Sequence, residues 1–426
     1  MHRKILRLAI PNIISNITVP LLGMVDLAIV GHLGGGELLA GIAIGTAIFN
    51  LLYWNFGFLR MGTSGFTSQA YGRRDFAEAF RTLFRALSLS TGIALLLIAL
   101  QRPLQVGILA LMNGSDSAEE LASQYFYIRI WAAPATLGLY ALKGWFIGMQ
   151  NARTPMWIAI IINGINIVAS LAFALWLGMG IGGVALGTAI AQWSGLAIAI
   201  LFLIRYYGKL FKKEFLRNTF IITALRRFFN VNGDIFIRTI CLVIVFTFFT
   251  SASSKMGDSI LSANTLMLQL FTLFSYIMDG FAYSGEALAG RYYGAGNRSM
   301  LRRTIGGIFL WGAAVTVLFT AAYALFGEAI LAIFTDDAAV IAVTRQYVWW
   351  AVAVPLSSFA AFLLDGILIG ISRAAVMRNV MIVSSIIFFA VYYLLVGTLG
   401  NNALWLAFII YLSGRGVGQL LVIRRL

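Results

Sequence analysis

The chain has 426 residues, of which 60% are hydrophobic and only 11% are charged, with a mean hydropathy of +0.89. A soluble domain carries roughly 25% charged residues and cannot bury this much apolar surface, so a soluble fold is excluded. The net charge of +15, from 31 basic and 16 acidic residues, predicts a basic membrane face and no nucleic-acid partner. The fold class that these numbers predict is an all-α polytopic membrane protein.

Apolar runs long enough to cross a bilayer recur along the whole chain. A helix needs about 20 residues to span ~30 Å of hydrocarbon, and the spacing of the runs gives about twelve spans. We predict them at 9–32, 38–68, 87–110, 123–149, 157–178, 183–206, 229–254, 260–290, 304–326, 340–370, 379–398 and 403–422. The basic connection 207–228 divides six spans from six, which predicts an amino-terminal lobe at 1–206 and a carboxy-terminal lobe at 229–426.

Lysine and arginine fall in alternate loops. The basic segments are 3–7, 73–85, 153, 209–227, 291–303, 373–378 and 424–425. The intervening loops are very short, as at 33–37 and 399–402, or acidic, as at 115–120 and 335–337. Because basic loops stay in the cytoplasm, both termini are expected on that side of the cell (inner or cytoplasmic) membrane, which requires an even number of spans.

The two halves of the sequence repeat each other. At offsets of 222 or 223 residues, LGGGELLAG (33–41) matches MGDSILSAN (256–264), GFLRMG (57–62) matches GFAYSG (280–285), and KGWFIGMQ (143–150) matches DGILIGIS (365–372). Each half has an even number of spans, so both halves enter and leave on the same side. This predicts two six-helix bundles related by a parallel pseudo-two-fold repeat, an architecture typical of alternating-access transporters.

Asp26 is the most informative ionisable residue, because PLLGMVDLAIVG (20–31) places it deep in the first span. A carboxylate there must be protonated or paired with a cation, which favours coupling to protons or sodium. Pro20, six residues earlier, removes a backbone hydrogen bond and makes the same helix a candidate hinge. The alternative is an aspartate held by amide and hydroxyl donors for packing alone.

Polar residues of the fifth and sixth spans could complete a site with Asp26. Asn163 and Asn166 stand three residues apart on one helix face, with Ser170 one turn beyond Asn166, and Thr188 lies in the small-residue run that opens the sixth span. Interhelical hydrogen bonding without a transport role is the alternative.

The second half offers a further set of charged residues. Asp279 and Glu286 are seven residues apart on one helix face, and Asp365 opens DGILIG in the tenth span. They could form a second protonatable site or pair structurally with Arg238 or Arg345. Arg60, in GFLRMGTSG (57–65), is a candidate internal partner for a carboxylate.

No enzyme signature is present in the sequence. The chain has two histidines and one cysteine, with no phosphate-binding P-loop, no G-x-S-x-G motif and no metal-spaced cluster. No cofactor is expected, and the energy for transport must come from a gradient of protons or, alternatively, sodium.

Seven motifs in order resemble the multidrug and toxic compound extrusion (MATE) transporters, specifically the DinF-type branch. They are PLLGMVDLAIVGHLG (20–34), FGFLRMGTSGFTSQAYG (56–72), NGINIV (163–168), GGVALGTAIAQ (182–192), NGDIFIRTICL (232–242), MDGFAYSGEALAGRYYGAG (278–296) and LDGILIG (364–370). The resemblance covers essentially the whole chain.

The resemblance implies cation-coupled antiport of small amphipathic or cationic compounds through two lobes. It also implies that Asp26 is the coupling carboxylate, with Asn166 and Thr188 as neighbours. The family pattern has a second aspartate four residues after Asn166, where this chain has Ser170.

We therefore expect a monomeric multidrug exporter, embedded in membrane lipid, that exchanges its substrates for protons. Sodium-coupled export is one alternative. A lipid-linked oligosaccharide flippase of the wider superfamily is another.

Overall fold

The computed structural model describes residues 1–33, 36–112, 115–332 and 338–423, and these are almost entirely helical. Two short 3₁₀ turns, Asn55–Gly57 and Ile130–Ala132, join α2 to α3 and α6 to α7. The helices are α1 (His2–Leu33), α2 (Gly36–Trp54), α3 (Phe58–Gly72), α4 (Phe76–Ala99), α5 (Gln101–Met112), α6 (Asp116–Arg129), α7 (Ala133–Gly148), α8 (Arg153–Leu171), α9 (Gly180–Tyr207), α10 (Ile222–Lys255), α11 (Asp258–Gly294), α12 (Arg298–Ala332), α13 (Ala338–Gly370), α14 (Ala374–Leu399) and α15 (Asn401–Ile423).

Eleven helical segments within these ranges are long and apolar enough to cross a membrane. The prediction of an all-α polytopic fold is thus confirmed. The α6–α7 segment is a further helical stretch of spanning length, but it is not among the eleven. It carries Arg129 and Lys143, which make it one of the less apolar stretches. The predicted loop at 335–337 and the basic pair at 424–425 lie outside the described residues.

The chain divides into two compact units. The amino-terminal unit is Ile14–Phe228, and the carboxy-terminal unit is Phe229–Leu426 together with Met1–Ile13. In the carboxy-terminal unit, the Ser284 hydroxyl of α11 donates to the Ile5 carbonyl at 3.3 Å, so the start of α1 packs on α11. The division of the sequence at 206 and 229 into two working lobes stays a prediction.

The basic connection 207–228 is packed against the amino-terminal unit. Arg85 Nε of α4 donates to the Thr219 carbonyl at 2.6 Å, and the ring of Phe80 contacts the rings of Phe211 and Phe215. Arg85 also forms an ion pair with Glu78 at 2.6 Å. The connection is therefore a structured part of this unit and carries its lysines on the exposed side.

A tight reversal returns α9 along α8. Gly178 and Gly180 take φ values of +66° and +56°, in the left-handed region that favours glycine. Farther along α9, a Cβ at Gly187 would lie 2.6 Å from Ser170 Oγ, so the two backbones nearly touch. This contact holds the polar face of α8 beside Thr188.

The same helix packing is found in both units. In the amino-terminal unit, Gly144 of α7 lies against the backbone carbonyl of Arg60 in α3. In the carboxy-terminal unit, Gly366 of α13 lies against the carbonyl of Ala282 in α11. Ala282 follows Arg60 by 222 residues, and Gly366 follows Gly144 by the same number. The sequence repeat therefore also preserves this contact between helices.

Substituting either close-contact glycine should destabilise its unit. A methyl group at Gly144 or Gly366 would collide with backbone, which has to shift, and overpacking of this kind costs about 1–3 kcal/mol. Gly144→Ala and Gly366→Ala are expected to lower the thermal unfolding midpoint of the purified protein. Gly92→Ala and Gly306→Ala, where no atom lies within 4 Å of the added methyl, are the matched controls. Equal shifts in test and control variants would contradict the contact argument.

Candidate functional site

The polar residues predicted around the first span lie close together in the amino-terminal unit. Asp26 of α1 is 3% exposed, Thr188 of α9 is 1% exposed, and Asn166 and Ser170 of α8 are fully buried. Asn166 and Ser170 are one helical turn apart on α8, so both face the same neighbour. We call Asp26, Asn166, Ser170 and Thr188 the amino-terminal polar site.

Hydrogen bonds connect α8 to α9 in this site. Asn166 Nδ2 donates to Thr188 Oγ1 at 2.9 Å, and Thr188 Oγ1 donates to the Val184 carbonyl at 3.0 Å. Thr188 is also within hydrogen-bonding reach of the Asp26 carboxylate. The carboxylate of α1 therefore lies beside Thr188 of α9, whose hydroxyl is in turn bonded by Asn166 of α8.

Several oxygens of the site keep unused bonding capacity. Within the described residues, no hydrogen-bond partner lies within reach of Asp26 Oδ1, Asn166 Oδ1 or Ser170 Oγ, although all three are buried. Buried polar atoms are almost always paired, so an unpaired set calls for an explanation. A carboxylate oxygen can accept a proton, and carboxylate, amide and hydroxyl oxygens can all coordinate a small cation.

Asn163 has a different role from Asn166. Its Nδ2 donates to the backbone carbonyl of Thr18 at 2.9 Å, two residues before Pro20. Asn163 thus ties α8 to α1 beside the predicted hinge and is only partly buried. The helical assignment of α1 continues through Pro20.

The cation placed beside Asp26 is Arg129, the last residue of α6. Its guanidinium is close enough to the Asp26 carboxylate for electrostatic interaction. Arg129 Nη1 donates to the Tyr125 hydroxyl at 2.6 Å, and the guanidinium lies 4.7 Å from the centre of the Phe49 ring. Arg60, the partner suggested by the sequence, lies instead beside Tyr140 and Lys143 of α7. The sequence signal that marks Arg129 as a candidate partner is its position as a charged residue within the apolar run YFYIRIW (125–131).

Asp365 forms a buried ionic network in the carboxy-terminal unit. Its carboxylate accepts hydrogen bonds from Arg238 of α10, from Arg415 Nη2 at 2.9 Å and from Gln419 Nε2 at 2.6 Å, both on α15. Asp365 is 5% exposed and Arg415 is 1% exposed. The sequence suggested Arg238 as a partner but missed Arg415 and Gln419, which stand four residues apart on the last helix.

The other two acidic residues of the second half are placed differently. Asp279 of α11 interacts electrostatically with Arg238 and so borders the network. Glu286, fully buried, lies farther along α11, where its backbone carbonyl is 2.5 Å from the position of a Cβ on Gly370. Asp279 and Asp365 are thus linked through one arginine, and Glu286 belongs to the α11–α13 contact.

Within the described residues, no group of three or more histidine, cysteine, aspartate or glutamate side chains is placed to hold a metal ion.

Spanning helices with a buried polar site and a duplicated packing unit define a polytopic membrane transporter. The MatE family model matches the chain twice, over residues 11–172 and 235–394, once in each half. The chain therefore belongs to the MATE family of multidrug and toxic compound efflux transporters.

Relatives of known name agree with this membership. The chain is 36% identical to DNA damage-inducible protein F of Escherichia coli (strain K12), over 98% of this chain and 91% of that protein. It is 26% identical to a probable multidrug resistance protein, NorM, of Pseudomonas syringae pv. tomato, over 78% of this chain and 73% of the other. Its fold superposes on the crystal structure of a MATE protein in a bent conformation with a TM-score of 0.88, at 20% identity, covering 99% of this chain and 94% of that one.

Removing the carboxylate of Asp365 should destabilise the protein strongly. Asp365→Ala leaves the Arg238 and Arg415 guanidiniums buried without their shared anion, and breaking a buried ion pair from one side costs about 3–5 kcal/mol. The expected result is a large fall in the thermal unfolding midpoint in detergent. Asp258→Ala, at an exposed position on α11, serves as the control and should change the midpoint little. A stable Asp365→Ala protein would refute a structural role for the network.

Proposed function

We propose that the chain is a secondary active antiporter that exports amphipathic, often cationic, organic compounds in exchange for protons. The observation that carries the proposal is the buried Asp26 carboxylate, next to Thr188 and in electrostatic range of Arg129. Ionisable groups inside a membrane domain are costly and are functional by default. Membership of an efflux family supports the proposal that this carboxylate is the coupling group.

The charge of the Asp26–Arg129 pair provides the coupling. With Asp26 ionised the pair is neutral overall, and protonation leaves a net charge of +1. Tyr125 and Phe49 hold the guanidinium in place, and Tyr125 is the other titratable group that faces Asp26. The protonated site, with its net positive charge, repels a cationic compound, and the neutral ionised site does not. Proton and compound therefore bind antagonistically, as antiport requires.

The conformational step is assigned to α1. Compound binds from the cytoplasm near ionised Asp26, and protonation from outside then removes the negative charge that holds α1 against Thr188. Loss of this attraction lets α1 bend at Pro20, while Asn163 keeps the Thr18 carbonyl anchored to α8. The compound leaves on the outer side.

Two alternatives use the same residues differently. Sodium could replace the proton, since the oxygens of Asp26, Asn166, Ser170 and Thr188 are ligands that hard cations accept. A lipid-linked oligosaccharide flippase would not need a titrating carboxylate at all. Dependence of transport on the imposed ion separates these possibilities.

The decisive experiment is dye efflux from proteoliposomes with a proton or a sodium gradient imposed in turn. We expect the proton gradient to drive transport in wild type and Asp26→Asn to abolish it, because the amide cannot be protonated in this pH range. In wild type, the apparent affinity for a cationic dye should fall by about tenfold per pH unit below the pKa of Asp26. Asp26→Asn should show no such dependence.

Asp116→Asn, at an exposed position on α6, is the matched control and should transport normally. Transport driven only by a sodium gradient would show that sodium, and not the proton, is the coupling ion. Wild-type pH dependence in Asp26→Asn would refute Asp26 as the coupling group.

We further propose that the chain lies in the inner or cytoplasmic membrane with both termini in the cytoplasm. Arginine and lysine lie in the described turns 73–75 and 371–373 and in the connection 208–221. Acidic residues lie instead in the first turns of helices that start at the other membrane face, as with Glu37 of α2, Asp116 of α6 and Asp258 of α11. A carboxy-terminal fusion should therefore be fluorescent with green fluorescent protein and inactive with alkaline phosphatase. A non-fluorescent first fusion and an active phosphatase fusion would instead place the carboxy terminus outside the cytoplasm.

A further inference from the structure

The connection between α9 and α10 is strongly basic and lies at a membrane face. Residues 207–228 include six basic residues and one acidic residue, Glu214. Both flanking helices are long and apolar enough to span a membrane, so the connection between them is at the membrane surface. Four of its basic residues are exposed along one short stretch: Lys209, Lys212, Lys213 and Arg217. Within the described residues, these four side chains form no ion pair and no hydrogen bond, so their charge is available to a partner outside the chain.

Large apolar side chains are exposed on the same connection. Phe220 is 60% exposed, Ile222 is 76% exposed, and Ile221 between them is exposed as well. Leu210 and Leu216 are exposed among the lysines. Single exposed apolar residues are ordinary, but a consecutive run beside basic residues is typical of a segment that enters the boundary between lipid headgroups and acyl chains.

The connection has a fixed inner side. Arg85 Nε of α4 donates to the Thr219 carbonyl at 2.6 Å, and Arg81 Nε donates to the Phe215 carbonyl at 3.3 Å. The rings of Phe211 and Phe215 pack on aromatic rings of the same helix. A loop that only marks the cytoplasmic side needs positive charge and no more. This connection is also docked on its unit, and it leaves apolar side chains exposed.

We propose that the connection binds anionic phospholipids of the leaflet that it faces. The ammonium groups of Lys209, Lys212 and Lys213 bind the lipid phosphates, and Phe220 and Ile221 enter the headgroup boundary of the same leaflet. Charge complementarity supports this partner, because basic residues at a membrane surface are attracted to anionic headgroups. The proposal does not depend on the antiport mechanism. The proposed topology places this surface on the cytoplasmic leaflet, but binding itself does not depend on the side.

The test compares two lipids that differ only in their headgroups. Native mass spectrometry of the purified protein in detergent, titrated with phosphatidylglycerol or with phosphatidylcholine of the same acyl chains, gives an apparent affinity for each lipid. Wild type should bind phosphatidylglycerol about tenfold more tightly than phosphatidylcholine, because each basic residue near an anionic surface contributes about fivefold. Equal affinity for the two lipids in wild type would overturn the proposal.

Variants assign the preference to the connection. Replacing Lys209, Lys212 and Lys213 together by glutamine should weaken phosphatidylglycerol binding by about tenfold and leave phosphatidylcholine binding within about twofold. Replacing the same three residues by arginine should keep the preference, because the positive charges remain. The thermal unfolding midpoint of both variants should equal that of wild type, since the three side chains are exposed.

The matched control removes three charges from another basic segment. Arg298, Arg302 and Arg303 are exposed in the first two turns of α12, on the face where basic residues are also predicted. Replacing these three by glutamine should leave the preference for phosphatidylglycerol as in wild type. An equal loss in the control would assign the preference to the whole basic face and overturn a role specific to the connection, as would an unchanged preference in the lysine-to-glutamine variant.

Two further measurements test the apolar part and the identity of the ligand. Phe220→Ser with Ile221→Ser should weaken both lipids to a similar degree, because membrane insertion does not distinguish the headgroups. Full affinity for both lipids in this variant would overturn the insertion of these residues. Glycerophosphoglycerol, the headgroup without acyl chains, should compete poorly, and competition as strong as that of the whole lipid would show that a soluble phosphate is the ligand. Failure of proton-driven efflux would refute the antiport mechanism and leave these binding results intact.

Discussion

Compensation of charge inside spanning helices is the constraint on which this structure depends. Where little water is available, each ionised side chain needs an opposite charge, a hydrogen-bond donor or a ligand. The carboxy-terminal unit meets this requirement internally at Asp365, through Arg238, Arg415 and Gln419. In the amino-terminal unit, the Asp26 carboxylate is in electrostatic range of Arg129, and its Oδ1 has no hydrogen-bond partner among the described residues.

The helix framework that carries these charges is nearly the same in both units. Gly144 lets the backbone of α7 pack directly on that of α3, and Gly366 does the same for α13 on α11. Close packing fixes the residue just before each glycine, Lys143 or Asp365, to within a small displacement. A charge at such a position cannot move away from its neighbours, so the packed helices around it determine which groups compensate it.

Much of the fold could be predicted from the sequence because hydrophobic length and the positions of arginine and lysine are local signals. The twofold repeat was also visible, since KGWFIGMQ (143–150) and DGILIGIS (365–372) keep their glycines in register. Asp26, Asn166 and Thr188 could be grouped from family motifs, and the structure brings them together. The break at Asn55–Gly57 could not be predicted, because no proline or charge lies beside it. The break at Ile130–Ala132 had a signal in Pro134, which lies in the first turn of α7.

Charge partners were the least predictable feature of the site. Arg60, Arg129, Arg238 and Arg415 all lie in apolar runs, and sequence distance says nothing about which carboxylate each one meets. Asp26 meets Arg129, about 100 residues away, because α6 packs against α9, the helix that carries Thr188. Asp365 meets Arg415 because α13 and α15 are packed together.

The difference between the two units has a consequence for coupling. A carboxylate held by two arginines and an amide gains little from a proton, because protonation would leave both guanidiniums uncompensated. Protonation costs far less electrostatic stabilisation for a carboxylate such as Asp26, which has one arginine nearby and an oxygen without a hydrogen-bond partner among the described residues. The same rule supports the proposal that Asp26, and not Asp365, is the residue that exchanges its proton.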